Sequence, residues 1–332
     1  MLKVAHMVKI TPNSICGLYE TTTDLVRGLR AIGFDSRMVE TDIANNPLFP
    51  YGQSEVDGIP IEVEAWAIHS ADIIVSHSGY GDAVAATGKP VIYVAHGRPL
   101  VSYLTEKSGG LPLYSFFYTR NLKRSWASVV TFWPEHLPYL DAMFSNIPAH
   151  LVPAAVDLEK WNPVGAKSNF NGVGGDINVV CADAWREDID PFVVLNAFIL
   201  EARREKAATG KRMKLHIYGK PKDLAGAGAL VRTIQDEGFL GEVNPHHKDL
   251  ASVYRAADFT MTPHTIAVRT VRESMACGCP VAHIGLDLKV PRTIYHEDRA
   301  AVRERAVKRF DHRESAAAMS SIIRKASMRL AA

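Results

Sequence analysis

Cysteine is scarce in this chain: four residues among 332, at Cys16, Cys181, Cys277 and Cys279. None forms a C-x-x-C pair, and no Cys/His set has metal-ligand spacing, which argues against a zinc ribbon or a dithiol redox centre and for small buried thiols in a reducing compartment. Long apolar runs are missing as well. No stretch approaches the ~20 residues that span a bilayer, and the N-terminus M-L-K-V-A enters a strand without the apolar core of a signal peptide. The expectation is a cytoplasmic protein without stable membrane insertion. Charge of one sign is also lacking. Lys and Arg number 38 against 36 Asp and Glu, a formal net charge of +2, so the total charge offers no argument for a nucleic-acid or membrane partner. Two glycine motifs are absent in full form. Gly79-Tyr80-Gly81 begins a G-x-G pattern, but Val84 stands where the third glycine of a nicotinamide-dinucleotide fingerprint belongs, and no G-x-x-x-x-G-K-[ST] loop occurs.

What is present is a chain with 47% hydrophobic and 22% charged residues, long enough at 332 residues to split into two cores. Short apolar runs alternate with helical periodicity. In the first half, strands are expected at 2–8, 72–76, 90–95, 128–132 and 150–152, with a helix at 19–32. In the second half, strands are expected at 177–181, 214–218, 258–262 and 280–284, with helices at 191–202, 225–237, 250–256 and 270–277. The pattern is α/β, two Rossmann-like domains facing each other across a cleft. Boundaries follow composition: an N-terminal domain at 1–155, an Asn/Gly/Pro/Lys-rich linker at 156–176, a second domain at 177–300, and charged C-terminal helices at 301–332 that can pack back on the first domain.

The most informative stretch, 254–284, reads Y-R-A-A-D-F-T-M-T-P-H-T-I-A-V-R-T-V-R-E-S-M-A-C-G-C-P-V-A-H-I. A strand ending at Thr262-Pro263 is followed by a short loop and a helix from Thr270. The start of that helix presents unpaired N–H groups and partial positive charge, a setting that welcomes a diphosphate. Arg269, just before it, can add charge-assisted bonds to phosphate. Thr270-Val271-Arg272-Glu273 also has the form of a capping box, in which Glu273 would serve the helix rather than a ligand.

These residues resemble the donor-binding signature of the retaining family 4 glycosyltransferases of GT-B architecture, whose pattern runs "lEAMA.G.PVV" after a strand ending in "PS". Ala257-Asp258, Pro263-His264 and Glu273-Ser274-Met275-Ala276-Cys277-Gly278-Cys279-Pro280-Val281 match it in divergent form. The resemblance implies that Glu273 accepts hydrogen bonds from the ribose hydroxyls of a nucleotide sugar. It extends, more weakly, along the chain. L-V-P-A-A-V-D at 151–157 with Trp161-Asn162-Pro163 resembles the interdomain signature, and K-L-H-I-Y-G at 214–219 resembles the strand whose loop nears the nucleotide, placing Lys220 by phosphate or base. A-D-A-W-R-E-D-I-D-P-F from 182 resembles the turn whose cations neutralise the departing diphosphate; Arg186 is the only basic residue there, Ile189 and Ala184 standing where the family has Lys and Arg. K-P-V-I-Y-V-A-H-G at 89–97 resembles the strand end whose histidine faces the donor sugar, here His96, with Arg98 beside it for a phosphate or acidic acceptor. Gly17 keeps one glycine of the family's "GG" loop, and Thr265 stands where the family has a first glutamate.

The implied activity is transfer of a sugar, a hexose or pentose, from a nucleotide-sugar donor to an acceptor hydroxyl, with retention, without metal and without a cofactor beyond the co-substrate. The D-x-D triplet Asp188-Ile189-Asp190 is too short to argue for a metal. Candidate catalytic residues are His96 and Arg186; candidate donor-binding residues are Glu273, Thr270, Arg269, Lys220 and Gly17. Saccharide, lipid-linked and modified-nucleotide DNA acceptors all fit; the basic and aromatic residues at 118–126 suit a phosphate backbone or an anionic lipid surface, and equally the commoner role of a solvated basic helix face. The alternatives are a nucleotide-sugar-binding protein without transfer activity and a nucleotide-sugar epimerase of the same fold.

Overall fold

The alternation of apolar runs and helical faces becomes two separate sheets, whose central strands Ile73–Ser76, Val91–Ala95, Ile177–Cys181 and Phe259–Thr262 bury side chains on both faces as parallel strands covered by helices do. The computed structural model describes residues 1–8, 17–40, 55–56, 58–62, 66–77, 87–96, 126–144, 146–183, 191–219, 227–244, 247 and 249–328. Two units emerge, Met1–Ala155 together with Phe310–Ala332, and Val156–Arg309.

The first unit holds β1 (Lys3–Val8), β2 (Asp35–Glu40), β3 (Glu55–Val56), β4 (Ile59–Glu62), β5 (Ile73–Ser76), β6 (Val91–Ala95), β7 (Trp126–Thr131) and β8 (Ala149–Leu151). Their order in the sheet is β3-β4-β2-β1-β5-β6-β7-β8, and every described pair is parallel except β3 with β4. Chain order reverses between β1 and β5, which is the topological switch point where open α/β sheets bind ligands beyond the carboxyl ends of their strands. Helices α1 (Gly17–Ala31), α2 (Trp66–Ser70) and α3 (Leu137–Met143) belong to this unit. The periodicity did not announce β2 or β4. In β2, D-S-R-M-V-E, a buried serine and charged neighbours interrupt the apolar pattern, and pairing with β1 over six residues supplies what the local sequence lacks.

The second unit holds β9 (Ile177–Cys181), β10 (Met213–Ile217), β11 (Leu240–Val243), β12 (Phe259–Thr262) and β13 (Val281–His283), in the order β11-β10-β9-β12-β13, all parallel. Its helices are α4 (Pro191–Thr209), α5 (Ala227–Asp236), α6 (Leu250–Ala256), α7 (Arg269–Ala276) and α8 (Arg299–Phe310). The switch point lies between β9 and β12.

Residues 156–176, read from composition as a linker, are fastened to the second unit. Phe170 is buried with its ring stacked on His216 at 3.9 Å, and Trp161 is 6% exposed. Arg255 donates to the Asn162 and Ala166 carbonyls, while Arg303 donates to those of Leu158 and Trp161. The turn residues that suggested flexibility close turns on themselves: Asp157 Oδ1 accepts from the Glu159 and Lys160 amides, and Asn169 Oδ1 from that of Asn171. The last helix, α9 (His312–Met328), returns to the first unit and packs on α1, where Gly28 lets the backbones meet; a Cβ there would fall 2.7 Å from that of Ala316. Among the described residues no helix is long and apolar enough to cross a membrane.

Candidate functional site

Of the residues that the sequence singled out, Arg269, Thr270 and Glu273 stand on α7, beside the second unit's switch point. Ala182 and Asp183 follow β9, Pro263 and His264 follow β12, and α7 begins after a short loop. A small cavity is lined there by Ala182, Asp183, Thr260, Met261, Thr262, Thr270, Val271 and Val281. The loops after β9 and β10 approach so closely that a Cβ on Gly219 would lie 1.7 Å from the Asp183 carbonyl oxygen, so only glycine fits.

Helix α7 starts at Arg269, one residue earlier than its sequence suggests, with Val268 at the N-cap and no side-chain capping bond. The capping box is therefore not made. Thr270, the second helical residue, donates its hydroxyl to Asp183 Oδ1 over 2.7 Å, and Glu273 accepts from Arg269 Nε at 2.5 Å one turn back. Both partners of that ion pair are nearly sealed, Arg269 at 7% and Glu273 at 4% exposure. The Arg269 guanidinium also lies 6.0 Å from the centre of the Trp161 ring. Its Nε is thus bonded to Glu273 one turn further along α7. His264 Nε2 stands 3.7 Å from Asp183 Oδ1, and His283 Nδ1 donates to the His264 carbonyl at 2.6 Å.

The thiols around α7 are no nucleophiles. Burial pushes Cys277 up to about 12 and raises Cys279 as well, and the Tyr254 hydroxyl, fully buried beneath the site, is driven well above the usual phenol range by burial first and by Glu273 and Asp183 second. Cys181, Cys277 and Cys279 are buried thiols outside any disulfide, as the scarcity of cysteine suggested.

In the first unit, His96 follows β6 at the carboxyl edge of the sheet, partly exposed, with its ring edge-on to Phe132 at 5.1 Å and its carbonyl accepting from Trp133 Nε1. Its Nε2 lies 2.8 Å from His77 Nδ1, and His77 Nε2 lies 3.0 Å from His6 Nδ1. Gly17 is the exposed first residue of α1, its carbonyl accepting from Thr21 Oγ1 at 2.7 Å. Arg186, Lys220 and Arg98 lie outside the described residues, as do Ile189, the Asp188–Asp190 triplet, the Gly79/Gly81 pair and the basic segment up to residue 125.

Sequence reasoning missed Asp183, His6 and His77. Asp183 had a usable signal, an acidic residue directly after the central strand of a Rossmann-like unit, and His6 had one in V-A-H-M-V, a polar interruption of a buried strand. His77 was marked only by its place at a strand end.

No family model and no curated protein sequence matches the chain. Solved structures do. Sucrose-phosphate synthase from Thermosynechococcus elongatus superposes with a TM-score of 0.64 at 14% identity, over 100% of both chains. AviGT4, a glycosyltransferase involved in avilamycin A biosynthesis, gives 0.60 at 13% identity over 99% of this chain and 98% of its own. An alpha-glucosyltransferase in complex with UDP and a 13-mer DNA containing a HMU base gives 0.59 at 9% identity over 98% of this chain and 99% of its own. Likeness over the full length at such low identity defines the class of the fold: two Rossmann-like parallel-sheet units of the GT-B type, shared with glycosyltransferases.

Proposed function

We propose that the protein is a glycosyltransferase that binds a nucleotide sugar at the second unit's switch point and moves the sugar to an acceptor hydroxyl. The observation that carries this is α7, whose N-terminus has no side-chain cap and opens at the carboxyl ends of β9 and β12, with the sealed Glu273–Arg269 pair one turn behind it. Uncapped amides and a helix dipole favour a diphosphate, and a carboxylate held by an arginine is pre-oriented to accept from two adjacent ribose hydroxyls. Thr270 and Asp183 brace the loop on which the diphosphate rests. Arg186 and Lys220 supply the positive charge that stabilises the departing diphosphate, and Arg269 serves by holding Glu273 in place. Gly17 leaves room for ligand at the start of α1, while His96 and Arg98 act on the sugar and acceptor.

Family 4 resemblance and this donor site together support transfer with retention and without metal, the leaving phosphate taking the acceptor's proton. The neighbour bound to DNA keeps a modified nucleotide among the acceptor classes, beside saccharides and lipid-linked sugars. Screening UDP-, GDP-, ADP- and dTDP-sugars for a rise in melting temperature identifies the donor. Slow hydrolysis of that donor without acceptor marks a live transferase, whereas binding with no hydrolysis and no transfer would favour a nucleotide-sugar-binding protein. NMR of the product's anomeric carbon then reads retention directly.

A further inference from the structure

Three imidazoles cross the carboxyl edge of the first sheet. His6 lies on β1, His77 follows β5, and His96 follows β6; these are three consecutive strands of the sheet, and β1 and β5 flank its switch point. His6 is 0% exposed and His77 3%, so the row runs from a sealed interior to the partly exposed His96. The rings are linked by two contacts of hydrogen-bond length, His6 Nδ1 to His77 Nε2 at 3.0 Å and His77 Nδ1 to His96 Nε2 at 2.8 Å. His6 and His77 rest 5.3 Å apart with their planes 27° from parallel.

Proton counting leaves two arrangements. A neutral imidazole has one N–H. If His77 donates from Nδ1 to His96, the bond to its Nε2 must be filled by His6 Nδ1–H, and His96 carries its proton on Nδ1. If His77 donates from Nε2 to His6, the bond to its Nδ1 must be filled by His96 Nε2–H, and His6 carries none on Nδ1 and one on Nε2. The inner end separates these two. His6 Nε2 is buried with no hydrogen-bond partner among the described residues. In the first arrangement that atom is a bare lone pair; in the second it is a buried N–H with no acceptor, the rarer and less tolerated kind of orphan. Burial holds His6 at about 3 and His77 well below the usual histidine range, so both rings are neutral at physiological pH.

We infer that His6 and His77 are positioning residues that fix His96 as a neutral ring protonated on Nδ1, so that His96 meets the transfer reaction as a hydrogen-bond donor to a hydroxyl or ring oxygen of the sugar and not as a general base. Making His96 Nδ1 a base would require both internal protons to shift and would place an N–H against the sealed wall at His6. The assignment of the sugar to His96 rests on the proposed function; the proton order does not. A donor is what that function asks of this residue, since the leaving phosphate accepts the acceptor's proton.

The test is long-range proton–nitrogen NMR on the full chain labelled with nitrogen-15 in histidine, with His96 assigned by His96→Gln. The wild-type spectrum should show His6, His77 and His96 all neutral with the proton on Nδ1. A His96 protonated on Nε2, or a charged one, at neutral pH overturns the inference. His6→Leu removes the inner donor, and in it His96 should become a mixture of tautomers with kcat for donor turnover about tenfold lower and donor KM unchanged. His6→Asn, whose amide N–H can take the place of the His6 Nδ1–H, should restore both. Unchanged His96 nitrogen shifts in His6→Leu would also overturn it. Should His6→Leu fail to fold, the wild-type spectrum decides alone, and should no nucleotide sugar be turned over, the spectrum still decides the proton order while the proposed function falls separately.

Discussion

Glu273 is a structural carboxylate that the proposed function also asks to serve a ligand. Arg269 holds it from within the same helix, and both are sealed, so removing the carboxylate leaves a buried guanidinium beside Trp161. Glu273→Ala should therefore lower stability by about 3 kcal/mol, read as a fall in melting temperature, as expected when one member of a buried ion pair is deleted. Glu273→Gln keeps the shape and one acceptor. It should cost less stability but weaken donor binding about tenfold by calorimetry, and unchanged donor affinity would take Glu273 out of the site. A second prediction concerns pH. Burial holds His6 at about 3 and His216 at about 4, and His77 well down, whereas unfolded histidine titrates near 6.5. Below pH 6.5 the unfolded chain takes up protons that the folded chain refuses, so stability falls with pH, by up to about 1.4 kcal/mol per unit for each histidine, until the folded values are reached. Thermal scans should be flat for these groups above pH 7 and drop steadily from 6.5 to 4; no drop would mean the three rings protonate freely in the folded state. At this scale the sequence singled out Glu273, Thr270 and His96 because they stand in motif positions. It hid the histidine row because His6 and His77 are 71 residues apart and meet only through strand pairing.

Elements were easier to read than their ends and edges. Strands β1, β5, β6, β9, β10 and β12 show as apolar runs because both their faces are covered, while β2, β4 and β11 carry polar or glycine interruptions that only their neighbours make tolerable. The start of α7 shifted by one residue, enough to turn an expected capping box into a bare helix end with Thr270 bonded to Asp183. Two glycines locate where elements touch. Gly219→Ala should push apart the loops after β9 and β10, since its Cβ would sit 1.7 Å from the Asp183 carbonyl; donor binding should be lost together with stability, and a folded variant with unchanged donor affinity would remove that junction from the site. Gly28→Val should cost roughly 1–3 kcal/mol by overpacking α1 against Ala316 and the His312 carbonyl of α9, measurable by denaturant unfolding.

At the scale of the whole chain, composition marked a change near residue 156 but misjudged its nature. Asn, Gly and Pro there build tight turns, and the arginines that fasten the segment, Arg255 and Arg303, come from about 90 and 140 residues further on, as the Arg255–Asn162 and Arg303–Trp161 bonds show with separations of 93 and 142. The first unit likewise takes its last helix from the far end of the sequence. A chain ending at residue 310 should lose hydrogen-exchange protection in α1 and in the strands behind it while residues 177–283 keep theirs, because α9 packs on α1, β5 and β7 of the first unit. The most direct measurement of the account is a crystal structure of the protein with the nucleotide sugar that most raises its melting temperature. The diphosphate should lie within hydrogen-bond distance of the first amides of α7, with the ribose on Glu273; a nucleotide seated on the first unit alone, with α7 untouched, would contradict it.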